Sequence, residues 1–175
     1  MADFRIEDIN RTISQEARDA ISDLILAWAA FDTAVSYWCG LAFGIDMDMM
    51  SILIGNMDTK TRLEKIKQAC EHVGYTELAK SIKVLSSNHK KHADIRNIIA
   101  HRRCVGMIDI EGVPLVFTST KHVHRNPGQF EMTIIALDQV KGATRFANHY
   151  AESIMKITEA YERQGPPQGQ SEQPD

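Results

Sequence analysis

The stretch LILAWAAFDTAVSYWCGLAF, Leu24 to Phe43, is 20 residues long and carries one formal charge, Asp32. Its length matches a bilayer crossing, so its reading decides between a membrane protein and a helical protein with its own core. A carboxylate at the centre of a span is costly in lipid, and the flanks are acidic where Lys and Arg would anchor a span. We therefore read the stretch as part of a buried core helix and expect no membrane partner. Leu24, Trp28, Phe31, Val35, Trp38 and Ala42 recur every three or four residues and give it one strongly apolar face. Trp28 and Trp38 belong to that face as core residues, not as platforms for stacking bases.

Working outward, Thr12-Ile13-Ser14-Gln15 has the spacing of a capping box, so the helix begins near Thr12 and Gly44 stops it. Asp46 caps a short second helix through Met47, Met50, Leu53 and Ile54. Asp58-Thr59 opens a third, with Leu63, Ile66, Ala69, Cys70 and Val73 as its stripe and Gly74 as its end. Thr76 caps a fourth, unbroken by Gly or Pro, that runs to about His101. Its stripe starts as Leu78, Ile82 and Leu85, and the same spacing then lands on His89, His92, Arg96 and Ile99.

From Cys104 the pattern changes to short extended segments. Residues 105–110 and 115–120 read as a hairpin around Glu111-Gly112, and residues 130–135 add a third strand after Asn126-Pro127-Gly128. Asp138 caps a last helix whose inner side is Val140, Phe146, Tyr150, Ile154, Ile157 and Tyr161. The fold class is therefore mainly α: a four- to five-helix bundle with a small β-hairpin or three-stranded insertion, at about 104–136, before the last helix. Residues 1–163 form one domain, and 164–175 are a Gln/Gly/Pro/Ser-rich tail expected to stay disordered.

A hydrophobic fraction of 43% and a charged fraction of 25% are those of a soluble globular protein. Cys39, Cys70 and Cys104 stand in no metal-ligand spacing, and an odd number cannot close a disulfide set, which fits a reducing cytoplasm. The N-terminus is charged from Asp3 and has no apolar targeting core. The net charge is −3, but it is unevenly spread: −6 over residues 1–60, +6 over 61–125 and −3 over 126–175. A local basic patch is what phosphate binding requires, although clustered charge on a helix is equally an ordinary solvated surface.

Within that basic segment, Asp94-Ile95-Arg96-Asn97-Ile98-Ile99-Ala100-His101-Arg102-Arg103 brings together an arginine, an asparagine and a histidine. A guanidinium holds phosphate through two parallel charge-assisted bonds, and a histidine titrates near neutrality and moves protons. Arg and His near a helix C-terminus also have a plain explanation, because the macrodipole favours cations there.

The order of elements, with Arg-Asn-X-X-X-His near the end of the fourth helix, then an insertion and one last helix, resembles the HEPN superfamily. Its hallmark is Arg-X4-6-His, commonly with Asn beside the arginine; Arg96, Asn97 and His101 match the four-residue form. The likeness covers roughly residues 14–163 as architecture and about six residues as a specific motif. The resemblance implies a dimerising helical bundle and a ribonuclease that needs no metal or other cofactor, of the kind found in toxin, phage-defence and RNA-processing systems. It implies that His101 is a general base or acid on the ribose 2′-hydroxyl and leaving oxygen, that Arg96 holds the scissile phosphate, and that Asn97 orients a group in the site. The products would be a cyclic phosphate and a free 5′-hydroxyl. The expected partners are RNA, a second copy and, for a toxin, an antitoxin or other protein. The alternative is a non-catalytic module of the same fold that binds RNA, a nucleotide or a protein.

At about 100° per residue, Asn97 and His101 share a helical face, while Arg96 and His101 stand roughly 140° apart. One helix cannot easily aim both at one phosphate, whereas a two-fold dimer brings two motifs together. His89, Lys90, Lys91, His92, Arg102 and Arg103 are candidates for further RNA contact, as is a basic loop of Lys121, His122, His124 and Arg125, with plain solvation as the other reading. Asp32, if buried, needs a partner, and Arg96 is a candidate whose guanidinium it would orient. No metal site is expected: His89 and His92 are three apart but lack a companion carboxylate or cysteine at a recognised spacing.

Overall fold

The computed structural model describes residues 9–108, 114–118 and 132–164, apart from the side chains of Met47 and Gln164. Five helices, α1 (Gln15–Phe43), α2 (Met47–Ile54), α3 (Thr59–His72), α4 (Thr76–His101) and α5 (Leu137–Gln164), dominate it. Four short strands, β1 (Ile9–Asn10), β2 (Arg103–Ile108), β3 (Leu115–Thr118) and β4 (Met132–Ile135), form one antiparallel sheet in the order β1-β2-β3-β4. The helical bundle with a β insertion before the last helix is thus the observed architecture. The expected turn at Glu111-Gly112, the basic residues 121–125 and the tail beyond Gln164 lie outside the described residues.

Local chemistry accounts for most helix ends. Asp46 and Asp58 accept the backbone N–H of Met49 and Thr61 at 2.8 and 2.7 Å and cap α2 and α3. Gly44 and Gly74, with φ of 62° and 84°, take the left-handed turn that closes α1 and follows α3. Three expected caps move. Ser14, not Thr12, caps α1: it directly precedes Gln15, the first helical residue, and its Oγ accepts from Ala17 N at 3.2 Å. Thr76 is the first helical residue of α4, and the Tyr75 carbonyl before it accepts from Ala79 N. Asp138 lies inside the first turn of α5, where Gln139 Oε1 takes the Ala136 N–H instead.

The chain divides into two compact units, and α1, α4 and α5 each supply a segment to both. The first comprises Met1–Ala30 and Ser87–Asn148. Its interior is filled by Ala17, Leu24 and Trp28 of α1, by Leu115, Val116 and Phe117 of β3, and by Val140, Ala143 and Ala147 of α5. The strand β1 was not expected from the sequence. Ile9 and Asn10 pair with Ile108 and Met107 of β2, and Gly106 is what lets them approach. A Cβ built on Gly106, at φ +150°, would stand 2.3 Å from the Asn10 carbonyl oxygen. A bulge between Cys104 and Gly106 shifts the β2–β3 register at the same place.

The second unit comprises Phe31–Ser86 and His149–Asp175. Phe31, Val35, Trp38 and Cys39 of α1, Leu63, Ile66 and Cys70 of α3, Ile82 and Leu85 of α4 and Ile154 of α5 are its core. Val73, expected on the α3 stripe, is 61% exposed. On α5 the inner positions past Ile154 also differ from the expected set: Thr158 is buried, while Ile157 and Tyr161 are exposed. Thr158 satisfies its hydroxyl locally on the Met155 carbonyl at 2.8 Å, so its burial leaves no orphan hydrogen bond. Arg62 donates to Ser36 Oγ at 2.6 Å and to the carbonyls of Ile54 and Gly55, tying the open C-terminus of α2 to α1 and α3. Burial raises the Cys39 thiol above its usual range, against an opposing pull from the Arg62 charge.

One helix, Gln15–Phe43, is long and apolar enough to cross a membrane by length and composition, and half of its most apolar window is buried inside the protein. The expected apolar face from Leu24 to Trp38 is the face that is buried.

Candidate functional site

Helix α4 has two unlike faces over its last four turns. Lys90, Asp94, Asn97 and His101 follow one another at helical spacing, and all four are exposed. On the other side, Ile82, Leu85 and His89 are buried, and His92, Arg96 and Ile99 are half-buried. The stripe that turns polar in the sequence is therefore buried at His89 and half-buried beyond it. The helix is regular to its end, since Arg102 N still donates to Ile98 O at 2.9 Å. No unwinding brings Arg96 round to His101.

The arginine side chain does part of that work. Arg96 Nη1 donates to Asn97 Oδ1 at 3.2 Å, so the guanidinium leaves the packed stripe and leans toward the face shared by Asn97 and His101. Arg96 Nε is buried without a hydrogen-bond partner among the described residues. His101 ends α4 as an exposed residue.

His89 and His92, expected as RNA contacts or plain surface, are held in an aromatic cluster of the first unit. His89 is 7% exposed, with its ring centroid 5.6 Å from that of Trp28. His92 stacks on Phe146 at 4.5 Å, and Phe146 in turn stacks on Trp28 at 6.2 Å. His89 is thus buried, whereas His92 stays partly exposed. Burial lowers the His92 pKa below its ordinary value, and the neighbouring Lys91 charge lowers it further.

Lys90, Lys91 and Arg103 are exposed. Arg102 is half-buried and donates to Thr133 Oγ1 at 2.5 Å, which anchors the end of α4 to β4. Asp94, passed over in the sequence, sits on the same exposed stripe as Asn97 and His101 and subtracts from the local positive charge; its spacing of three from Asn97 was the available signal. Asp32 belongs to the second unit, where its Oδ1 accepts the Thr59 hydroxyl at 2.5 Å. Asn97 takes a hydrogen bond from Arg96. Among the described residues, no group of three or more His, Cys, Asp or Glu side chains is placed to hold a metal ion.

Comparison with protein-family models, with curated proteins and with solved structures gave no match in any of the three.

Proposed function

We propose that this chain is a metal-independent endoribonuclease of the HEPN type, acting on RNA as a homodimer, in a toxin or phage-defence setting. The observation that carries the reading is the Arg96 guanidinium bonded to Asn97 on the helical face where His101 stands exposed. In this mechanism one His101 takes the proton from a ribose 2′-hydroxyl, and the freed oxygen attacks the adjacent phosphorus. The bond from phosphorus to the 5′-oxygen breaks, and that oxygen takes a proton from the second His101, contributed by the partner protomer. A cyclic phosphate and a 5′-hydroxyl result. Arg96 neutralises the charge that builds on the phosphate oxygens, and Asn97 keeps the guanidinium turned to the exposed face. Lys90, Lys91 and Arg103 supply the surrounding positive field.

The test is to incubate the purified chain with mixed RNAs in EDTA beside Arg96→Ala and His101→Ala. Cleavage by the wild type and a loss of about 100-fold or more in each variant is expected. Intact RNA, or equal cleavage by the variants, overturns the reading. Intact RNA together with salt-sensitive RNA binding by a dimer assigns the chain to the non-catalytic binding modules instead.

A further inference from the structure

Asp94 and His101 lie seven residues apart on α4, so they stand about 10.5 Å apart along the helix and only about 20° apart around it. Both are exposed, and neither side chain makes a hydrogen bond or ion pair among the described residues. Lys90 and Lys91 stand four and three residues before Asp94, at helical pairing distance, yet form no ion pair with it. Asn97, also exposed, lies between Asp94 and His101 and accepts from the Arg96 guanidinium at 3.2 Å. The face thus carries an unpaired carboxylate at one end and an unpaired imidazole at the other.

A two-fold axis can lay one α4 on another in two ways. An axis along the helix sets each residue opposite its own copy, so Asp94 meets Asp94 and His101 meets His101. An axis across the helix runs the two copies antiparallel. Centred between Asn97 and Ile98, it brings Asp94 level with the second copy's His101, and does so twice. Only this second arrangement opposes carboxylate to imidazole, and like-charge juxtaposition disfavours the first. We infer that a second copy docks antiparallel along this face of α4, and that Asp94 is a positioning residue for the second copy's His101. The carboxylate accepts from one ring N–H and so turns the other nitrogen toward the RNA. The same docking brings both Arg96 guanidiniums, each bonded to its Asn97, beside the axis, where a phosphate offsets their repulsion. The role in cleavage rests on the proposed reading of Arg96 and His101; the docking rests on the complementarity of Asp94 and His101.

Sedimentation equilibrium of the full chain without RNA reads the docking. Asp94→Lys and His101→Asp each set like or unmatched groups opposite one another and should weaken dimerisation about tenfold to hundredfold. The double variant Asp94→Lys/His101→Asp exchanges the two partners and should return the dimer to within about threefold of wild type. Asn97→Cys, beside the axis, should cross-link two copies under mild oxidation where the wild type does not. With RNA, Asp94→Asn should keep the dimer while kcat falls about tenfold with KM little changed, and Asp94→Glu should restore part of the loss. A monomeric wild type, or a double variant no tighter than the single ones, overturns the docking. If a charge variant does not fold, the cross-link decides, and its absence overturns the docking. Wild-type kcat in Asp94→Asn overturns the positioning role. Cleavage by a dimer that ignores all these changes overturns the docking and leaves the cleavage reading standing. A wild type that docks as expected but cuts no RNA removes the cleavage reading alone.

Discussion

The imidazole of His92 lies against the phenyl ring of Phe146, centroids 4.5 Å apart and planes 26° from parallel. This contact joins α4 to α5 within the first unit, at a histidine that directly follows the exposed Lys90 and Lys91. Burial and the Lys91 charge both disfavour its protonated form. The folded-state pKa is therefore below the unfolded value of about 6.5. Above that value the neutral form is common to both states and no penalty applies. As the pH falls through about 6.5 toward the lowered value, the unfolded chain takes up the proton first and stability is lost. The difference in melting temperature between wild type and His92→Phe, followed from neutral to acidic pH, should change in favour of the variant as the pH falls. Parallel curves would remove His92 from the acid response.

Asp32 is a structural residue of the second unit. Removing either partner of the Asp32–Thr59 bond leaves a part-buried polar group unmet, which costs about 1–3 kcal/mol. Asp32→Ala and Thr59→Val should each lower the urea midpoint, and the double variant should lose clearly less than the two together. Asp32→Ala, once folded, should bind RNA as the wild type does. A selective loss of RNA binding at unchanged stability would restore Asp32 to the site.

Gly106 should resist substitution. In Gly106→Ala the added methyl meets the Asn10 carbonyl, and the backbone sits at φ +150°, a region that L residues rarely adopt. The strand β1 is expected to detach, at a cost of about 1–3 kcal/mol. Hydrogen exchange at Ile9 and Asn10 would show it as lost protection, with the β2–β3 pairs less affected; unchanged protection at both residues would contradict the account.

The cap of α1 offers a compact comparison. Ser14→Ala should destabilise by about 1 kcal/mol, since it removes the acceptor of the Ala17 N–H. Thr12→Ala should be close to neutral, because Thr12 contributes its backbone N–H to Asn10 and no capping side chain. Thermal unfolding of the two variants in parallel decides the order.

Much of the helical framework was legible because its signals are local. Asp46 and Asp58 cap with their own side chains, Gly44 and Gly74 turn the chain with their own φ, and the α1 stripe from Leu24 to Trp38 repeats at the period that buries it. The capping errors share one cause: Thr12 and Thr76 have suitable side chains, but α1 begins at Gln15 and α4 at Thr76 itself, so neither threonine stands directly before its helix. Of the candidate site, the spacing of Arg96, Asn97 and His101 and the sharing of a face by Asn97 and His101 could be read from residue numbers.

The sequence by itself determined where four of the five helices begin and end to within a residue or two, and that Arg96 and His101 point away from each other on α4. Tertiary structure alone decided that His89 and His92 pack on Trp28 and Phe146, that Asp32 accepts a hydrogen bond from Thr59, that Thr158 is inside where Ile157 is not, and that Ile9 and Asn10 form a strand. The physical reason is common to all four. A cap or a helical period is set by residues a few places apart, whereas the worth of a buried histidine, carboxylate or short strand depends on the surface that closes over it from elsewhere in the chain.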